Sequence, residues 1–236
     1  MRHDKTRKMQ DYWMQLWLEA GMKRDGLGRS IWPERQAVQP MHCPELLGDM
    51  FILDITNGAE SYRLAGTRLC AMMGRELKDE PFSANFDDAD QRAAESWATG
   101  LADDDYLVLI CSDGVSADGR VVPLETLMMP LNHNGQRGER VLGITVPLEM
   151  PAWLLSQRLE RQTIRSVRIL RPWELKPAAE QNDFAALGVQ SPEFSNDFDT
   201  PSSITPINPA NEPLIDENGA VRGAPFLRVL EGGRGG

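Results

Sequence analysis

The stretch Ser61-Tyr-Arg-Leu-Ala-Gly-Thr-Arg-Leu-Cys-Ala-Met-Met-Gly-Arg75 changes its hydrophobic period in the middle. Tyr62 and Leu64 alternate with Arg63 and Ala65, the pattern of a strand, whereas Leu69, Met72 and Met73 recur at i, i+3 and i+4, the pattern of a helix. Gly66 and Thr67 form the hinge. Gly66 supplies backbone freedom, the Thr67 hydroxyl is placed to cap the helix, and Gly74 follows the last apolar residue, where a left-handed cap is wanted. The spacing predicts a strand that runs directly into a short helix. Phe51, Leu53 and Ile55 form an apolar strand just before it, and Thr56-Asn57-Gly58 is a strong turn signal, so the two strands pair as an antiparallel hairpin.

Further along, a loop over 75–84 leads to Asp87 or Asp88, either of which opens a longer helix with Ala93, Ala94, Trp97 and Leu101 on one side. Its early acidic residues suit the positive helix N-terminus. Three strand patterns follow, over 106–112, 121–131 and 140–148, separated by Asp/Asn-Gly turn chemistry. Two strands, then helices, then three strands describe an α+β fold, an antiparallel sheet with helices covering one face. Pro123 places part of its strand at an edge or bulge.

Residues 1–21 read as an amphipathic helix. Met9, Trp13, Leu16, Trp17 and Ala20 share one face, Asp4 or Thr6 is placed to cap the start, and Gly21 ends it. Two tryptophans on one stripe must dock on something. Trp13, Leu16 and Trp17 either pack on the chain's own sheet or form a dimer or partner interface. Beyond the sheet, 151–160 reads as a helix with Trp153, Leu154, Leu155 and Leu159. Arg158, Arg161, Arg165 and Arg168 continue it as a helically spaced basic stripe, although 164–170 reads equally as a strand. The stripe is a solvated face, or a docking site for an acidic partner or the chain's own tail.

The 236 residues, 41% of them hydrophobic, suffice for one sizeable domain with extensions. The expected division is the helix at 1–21, the domain at 22–172, and a flexible acidic tail at 173–236 with a docking segment at 221–230, where Phe226, Arg228 and Leu230 alternate with Leu227 and Val229. A net charge of −10 argues against a dedicated nucleic-acid binder. The balance is uneven, however: residues 1–35 carry eight Lys/Arg against five Asp/Glu, and 177–236 carry three against nine. Cys43, Cys70 and Cys111 are odd in number and widely spaced, which reads as reduced thiols in a cytoplasmic protein. No apolar run approaches the roughly 18 to 20 residues of a membrane span, and no apolar region follows the N-terminal charges as a secretory signal requires.

The wording then resembles a bacterial family of stand-alone PAS-type domain proteins. The matching pieces are Tyr12-Trp13 with Leu16-Trp17, Trp32-Pro33-Glu34-Arg35 with Pro40, Arg63-Leu-Ala-Gly-Thr67, Gly74-Arg75, Glu125 to Pro130-Leu131, and Leu142-Gly143 to Pro147, spanning roughly 9–155. The resemblance implies a five-stranded antiparallel sheet in spatial order 2-1-5-4-3. It also implies a signalling or localisation role without intrinsic catalysis. The sequence shows no kinase, cyclase or DNA-binding segment, so the expected output is a protein partner, and a homodimer is expected through the N-terminal helix. It supplies no ligand.

The residues themselves predict no cofactor. A domain resembling the light-sensing flavin branch needs a reactive Cys in an Asn-Cys-Arg-Phe context, and Cys70 sits in Arg68-Leu-Cys-Ala-Met72. Haem needs an axial ligand, usually His, and His3, His42 and His133 fall in a terminus, a Pro-flanked loop and a hairpin turn. Met50, Met72, Met73, Met128 and Met129, with Leu69 beside them, line a soft cavity or simply fill core. Arg63 and Arg75 are placed to hold an anion, or Arg63 pairs with a sheet carboxylate such as Glu125. No nucleophile elbow, His-Glu-x-x-His or base pairing marks a catalytic site, and no metal site is expected. Two functions remain: an adaptor that binds proteins, and a sensor of an unidentified metabolite.

Overall fold

The computed structural model describes residues 1–56, 58–154 and 156–174. One antiparallel sheet runs β2-β1-β5-β4-β3-β6, built from β1 Met50–Thr56, β2 Ala59–Ala65, β3 Leu107–Ser116, β4 Val121–His133, β5 Gln136–Pro147 and β6 Leu159–Leu170. The helices are α1 Asp4–Glu19, α2 Thr67–Met73 and α3 Asp88–Gly100. The first five strands take the expected order. The expected tail segments, 177–219 and 221–230, lie outside the described residues.

Both faces of the sheet are buried, which follows from β4 and β5. Leu124 and Met128 of β4 enter one core with Val141 of β5, while Leu127 and Met129 enter the other with Leu142 and Ile144. A strand apolar on both sides must be covered on both sides. Helices α2 and α3 cover the first face, and α1 covers the second. The two inserted helices cover one face as expected, and of the two alternatives for α1 the structure takes the first: its Met9, Trp13, Leu16 and Trp17 are buried against the chain's own sheet, on the other face. Trp13, Trp17 and Trp32 pack as a trio with ring centroids 5.5 to 5.7 Å apart. Trp13 Nε1 donates to the Pro130 carbonyl at 2.9 Å and Trp17 Nε1 to the Ile31 carbonyl at 3.0 Å, so the two polar edges are satisfied inside.

The caps differ from the sequence reading. His3, not Asp4 or Thr6, caps α1, its Nδ1 accepting the Lys5 amide at 3.0 Å. Glu125, buried on β4, accepts the amides of Arg2 and His3 at 2.8 and 3.1 Å, a carboxylate at the positive helix end. Gly66 rather than Thr67 is the N-cap of α2, and it must be glycine: a Cβ there would stand 2.3 Å from the Leu47 carbonyl oxygen. Gly74 closes α2 at φ +65°, as its position predicts.

A β-bulge breaks the alternation on β2. Leu53 pairs with Tyr62 and Ile52 with Leu64, leaving Arg63 as the extra residue. Tyr62 is consequently buried while Leu64 is 47% exposed, although simple alternation put them on one face. The larger correction is β6. Residues 151–154 and 156–158 form turns rather than the expected helix, and the chain then pairs antiparallel with β3 from Ser116↔Leu159 to Leu107↔Leu170. Thr163, Ile164, Val167 and Ile169 are β-branched and favour the pleated surface that β3 offers.

Candidate functional site

The space between the sheet and α2/α3 is where the sequence placed a ligand-lining set. Leu69, Met72 and Met73 of α2 and Met128 of β4 fall in one buried cluster, whereas Met50 and Met129, expected with them, lie in the core on the opposite face of the sheet because successive strand residues point to opposite sides. That cluster is packed with rings. Phe51 of β1 lies 5.5 Å from Tyr62 and 5.8 Å from Phe82, and Phe82 lies 5.3 Å from Phe86. Phe51 presses on bare backbone: a Cβ at Gly143 of β5 would meet its ring at 2.1 Å. Asn85, also buried, donates to the Tyr62 hydroxyl and to the Phe82 carbonyl, both at 3.1 Å, and accepts from Arg75 Nη2 at 2.8 Å. Burial pushes the Tyr62 hydroxyl far above its ordinary pKa, against the opposing pull of Arg75, so it stays protonated. Arg75 is thus an internal brace. Arg63 is not part of this cluster; it is exposed on the bulge of β2, and Glu125 is occupied by the start of α1.

The basic residues fall on and before β6, not on a helix. Arg158 lies 3.8 Å from Glu160, Arg161 2.9 Å from Asp87, and Arg165 Nε donates to Asp113 at 2.6 Å. All three are more than half exposed. Arg168 is exposed and has no carboxylate partner among the described residues.

Sequence reasoning missed an ionic cluster at the mouth of a cleft of about 140 Å³ lined by His3, Lys5, Asp49, Arg68, Met72 and Pro147, among others. Asp49, with only 6% of its side chain exposed, takes a bidentate pair from Arg68 at 2.7 Å and a contact from Lys5 at 2.5 Å. Burial pushes its carboxyl up, but the hydrogen bonds from Arg68 and Lys5 outweigh that and hold it below the usual range. The cluster ties α1 to the first turn of α2. No local spacing announces it, because its partners are 19 and 44 residues from Asp49 in sequence.

Among the described residues no group of three His, Cys, Asp or Glu is arranged to hold a metal, and no helix is long and apolar enough to cross a membrane.

A five-strand antiparallel core in order 2-1-5-4-3, with α2 and α3 between its second and third strands, defines the class of sensor-type α+β domains. A family model described as PAS domain matches residues 1–146, more than half of the chain, and the chain belongs to that family. The family gives it a signalling or sensory role. Among solved structures, the chain is similar to an RNA-binding light-oxygen-voltage receptor (15% identity over 48% of this chain and 34% of that one, TM-score 0.37). It is similar also to a Rhodobacter sphaeroides LOV protein (12%, 49% and 71%, 0.35) and to the PAS domain of a Colwellia psychrerythraea protein (11%, 45% and 94%, 0.35). The match thus spans about a third of the receptor's length. No curated protein matches.

Proposed function

We propose that this chain is a non-catalytic PAS-type adaptor of the bacterial cytoplasm that signals by binding other proteins. The observation that supports this reading is the packed interior: Phe51, Tyr62, Phe82 and Phe86 fill the space between the sheet and α2/α3, with the Phe51 ring against Gly143. A domain whose interior is filled by its own side chains has its surface left for signalling. Trp13, Leu16 and Trp17 are committed to the sheet, so a homodimer forms through other residues or requires α1 to leave its place.

Native mass spectrometry with an ultraviolet-visible spectrum of the same sample tests the proposal. The adaptor reading predicts the mass of the chain or its multiples and no chromophore. Additional mass that departs on unfolding would replace it with the sensor reading, for which the convergence of Met72, Met73 and Met128 offers an adaptable wall.

A further inference from the structure

The two edges of the sheet are β2 and β6. An unpaired edge is a template for a further strand. Along the first half of β6 that template is already in use. Phe86 bridges Gln162 in parallel, the Asp87 amide donates to the Gln162 carbonyl at 2.9 Å, and the Ile164 amide donates to the Asp90 carboxylate at 2.7 Å. Asp87 also takes the Thr163 hydroxyl and lies 2.9 Å from Arg161 Nε. What the edge accepts here is acidic: the extended pair Phe86-Asp87 and, at Asp90, a carboxylate from the first turn of α3. Beyond Ile164, no described residue pairs with the outer edge. The open part, 165–170, offers the same chemistry: Arg168 is exposed and has no carboxylate partner among the described residues, and it lies on the opposite face from Val167 and Ile169, which pair with Ile110 and Val108. Ile169 is 37% exposed.

We infer that the outer edge of β6 over 165–170 is a strand-addition site for a partner segment that alternates acidic and apolar residues, the acids beside Arg168 and the apolar side chains beside Val167 and Ile169. Main-chain hydrogen bonds supply affinity and the alternate side chains supply selectivity. A second copy of β6 is a poor occupant, because it would set Arg161, Arg165 and Arg168 against their own kind. The inference rests on the adaptor reading and names the chemistry of its partner.

The test titrates the full chain into two labelled dodecapeptides, one alternating glutamate and valine, the other lysine and valine, followed by fluorescence anisotropy and amide hydrogen exchange. The glutamate peptide binds saturably and slows exchange within 166–170. The lysine peptide binds more weakly by about tenfold or more, and Arg168→Glu weakens the glutamate peptide by about tenfold, with Arg168→Gln between, at unchanged unfolding midpoint. Absent saturable binding, equal binding of both peptides, or indifference to Arg168→Glu overturns the site. Self-association that protects these amides without peptide, or their protection in the free monomer by the chain itself, also overturns it. A ligand-free chain that ignores the glutamate peptide loses the edge site alone; a chain that binds the peptide while carrying a small molecule loses the adaptor reading alone.

Discussion

Replacing Gly143 by alanine tests how tightly the interior is packed. The new Cβ would stand 2.1, 2.3 and 2.7 Å from three carbons of the Phe51 ring, and ordinary contact begins at 3.4 Å. The ring must retreat by about 1.3 Å or the strand must move. Retreat takes Phe51 off Tyr62 and Phe82, now 5.5 and 5.8 Å away. Each aromatic pair contributes about 0.5 to 1.5 kcal/mol, and overpacking a filled core costs about 1 to 3 kcal/mol. The expected loss is about 2 to 6 kcal/mol. Urea unfolding reads it: with a slope of about 2 kcal/mol per molar, the midpoint falls by about 1 to 3 M. Phe51→Leu should recover part of that loss in the Gly143→Ala background, a coupling that a double-mutant cycle isolates. A change below about 0.5 kcal/mol would mean that Phe51 has empty space to swing into, and the filled-interior argument would fail.

Other perturbations have equally definite outcomes. Asp49→Asn should lower stability at pH 7 by about 1 to 2 kcal/mol, discounted because Arg68 is partly exposed. The folded carboxyl sits below its unfolded value near about 3.9. Its contribution is therefore present above that value and is lost as pH falls through the folded pKa, so urea midpoints of the two proteins should converge in acid. A gap that persists or widens at low pH contradicts the assignment. Trp13→Ala removes a fully buried indole and its hydrogen bond to the Pro130 carbonyl, at a cost of about 3 to 5 kcal/mol. It should appear as a lowered melting temperature; a fully stable variant with altered oligomeric state would instead make α1 an intermolecular interface.

The hairpin of β1 and β2, the strand that runs into α2, and the three later strands were legible because their alternation and turn chemistry are local. What escaped was non-local or out of phase. Arg158, Arg161, Arg165 and Arg168 suit a helix by spacing alone. On β6 the bulge that leaves Arg165 unopposed, between the pairs Ser112↔Ile164 and Cys111↔Ser166, removes the regular alternation that would have declared a strand. Arg63 does the same on β2. The methionines of α2 were found by helical period. The rings that fill the space beside them include Phe82 and Phe86, from an irregular segment with no period to read. The role of α1 as cover for the second face followed only once β4 and β5 were seen to be apolar on both sides. The Asp49 cluster depends on packing α1 against α2, which no window of sequence contains.

The most direct test of the filled interior is an isotope-filtered nuclear Overhauser experiment on protein carrying labelled phenylalanine and tyrosine, purified without refolding. The structure predicts cross-peaks between the rings of Phe51 and Phe82, Phe51 and Tyr62, and Phe82 and Phe86. Loss of those cross-peaks, with new ones from the same rings to an unlabelled small molecule, would show a ligand where the chain's own side chains are placed and would contradict the account.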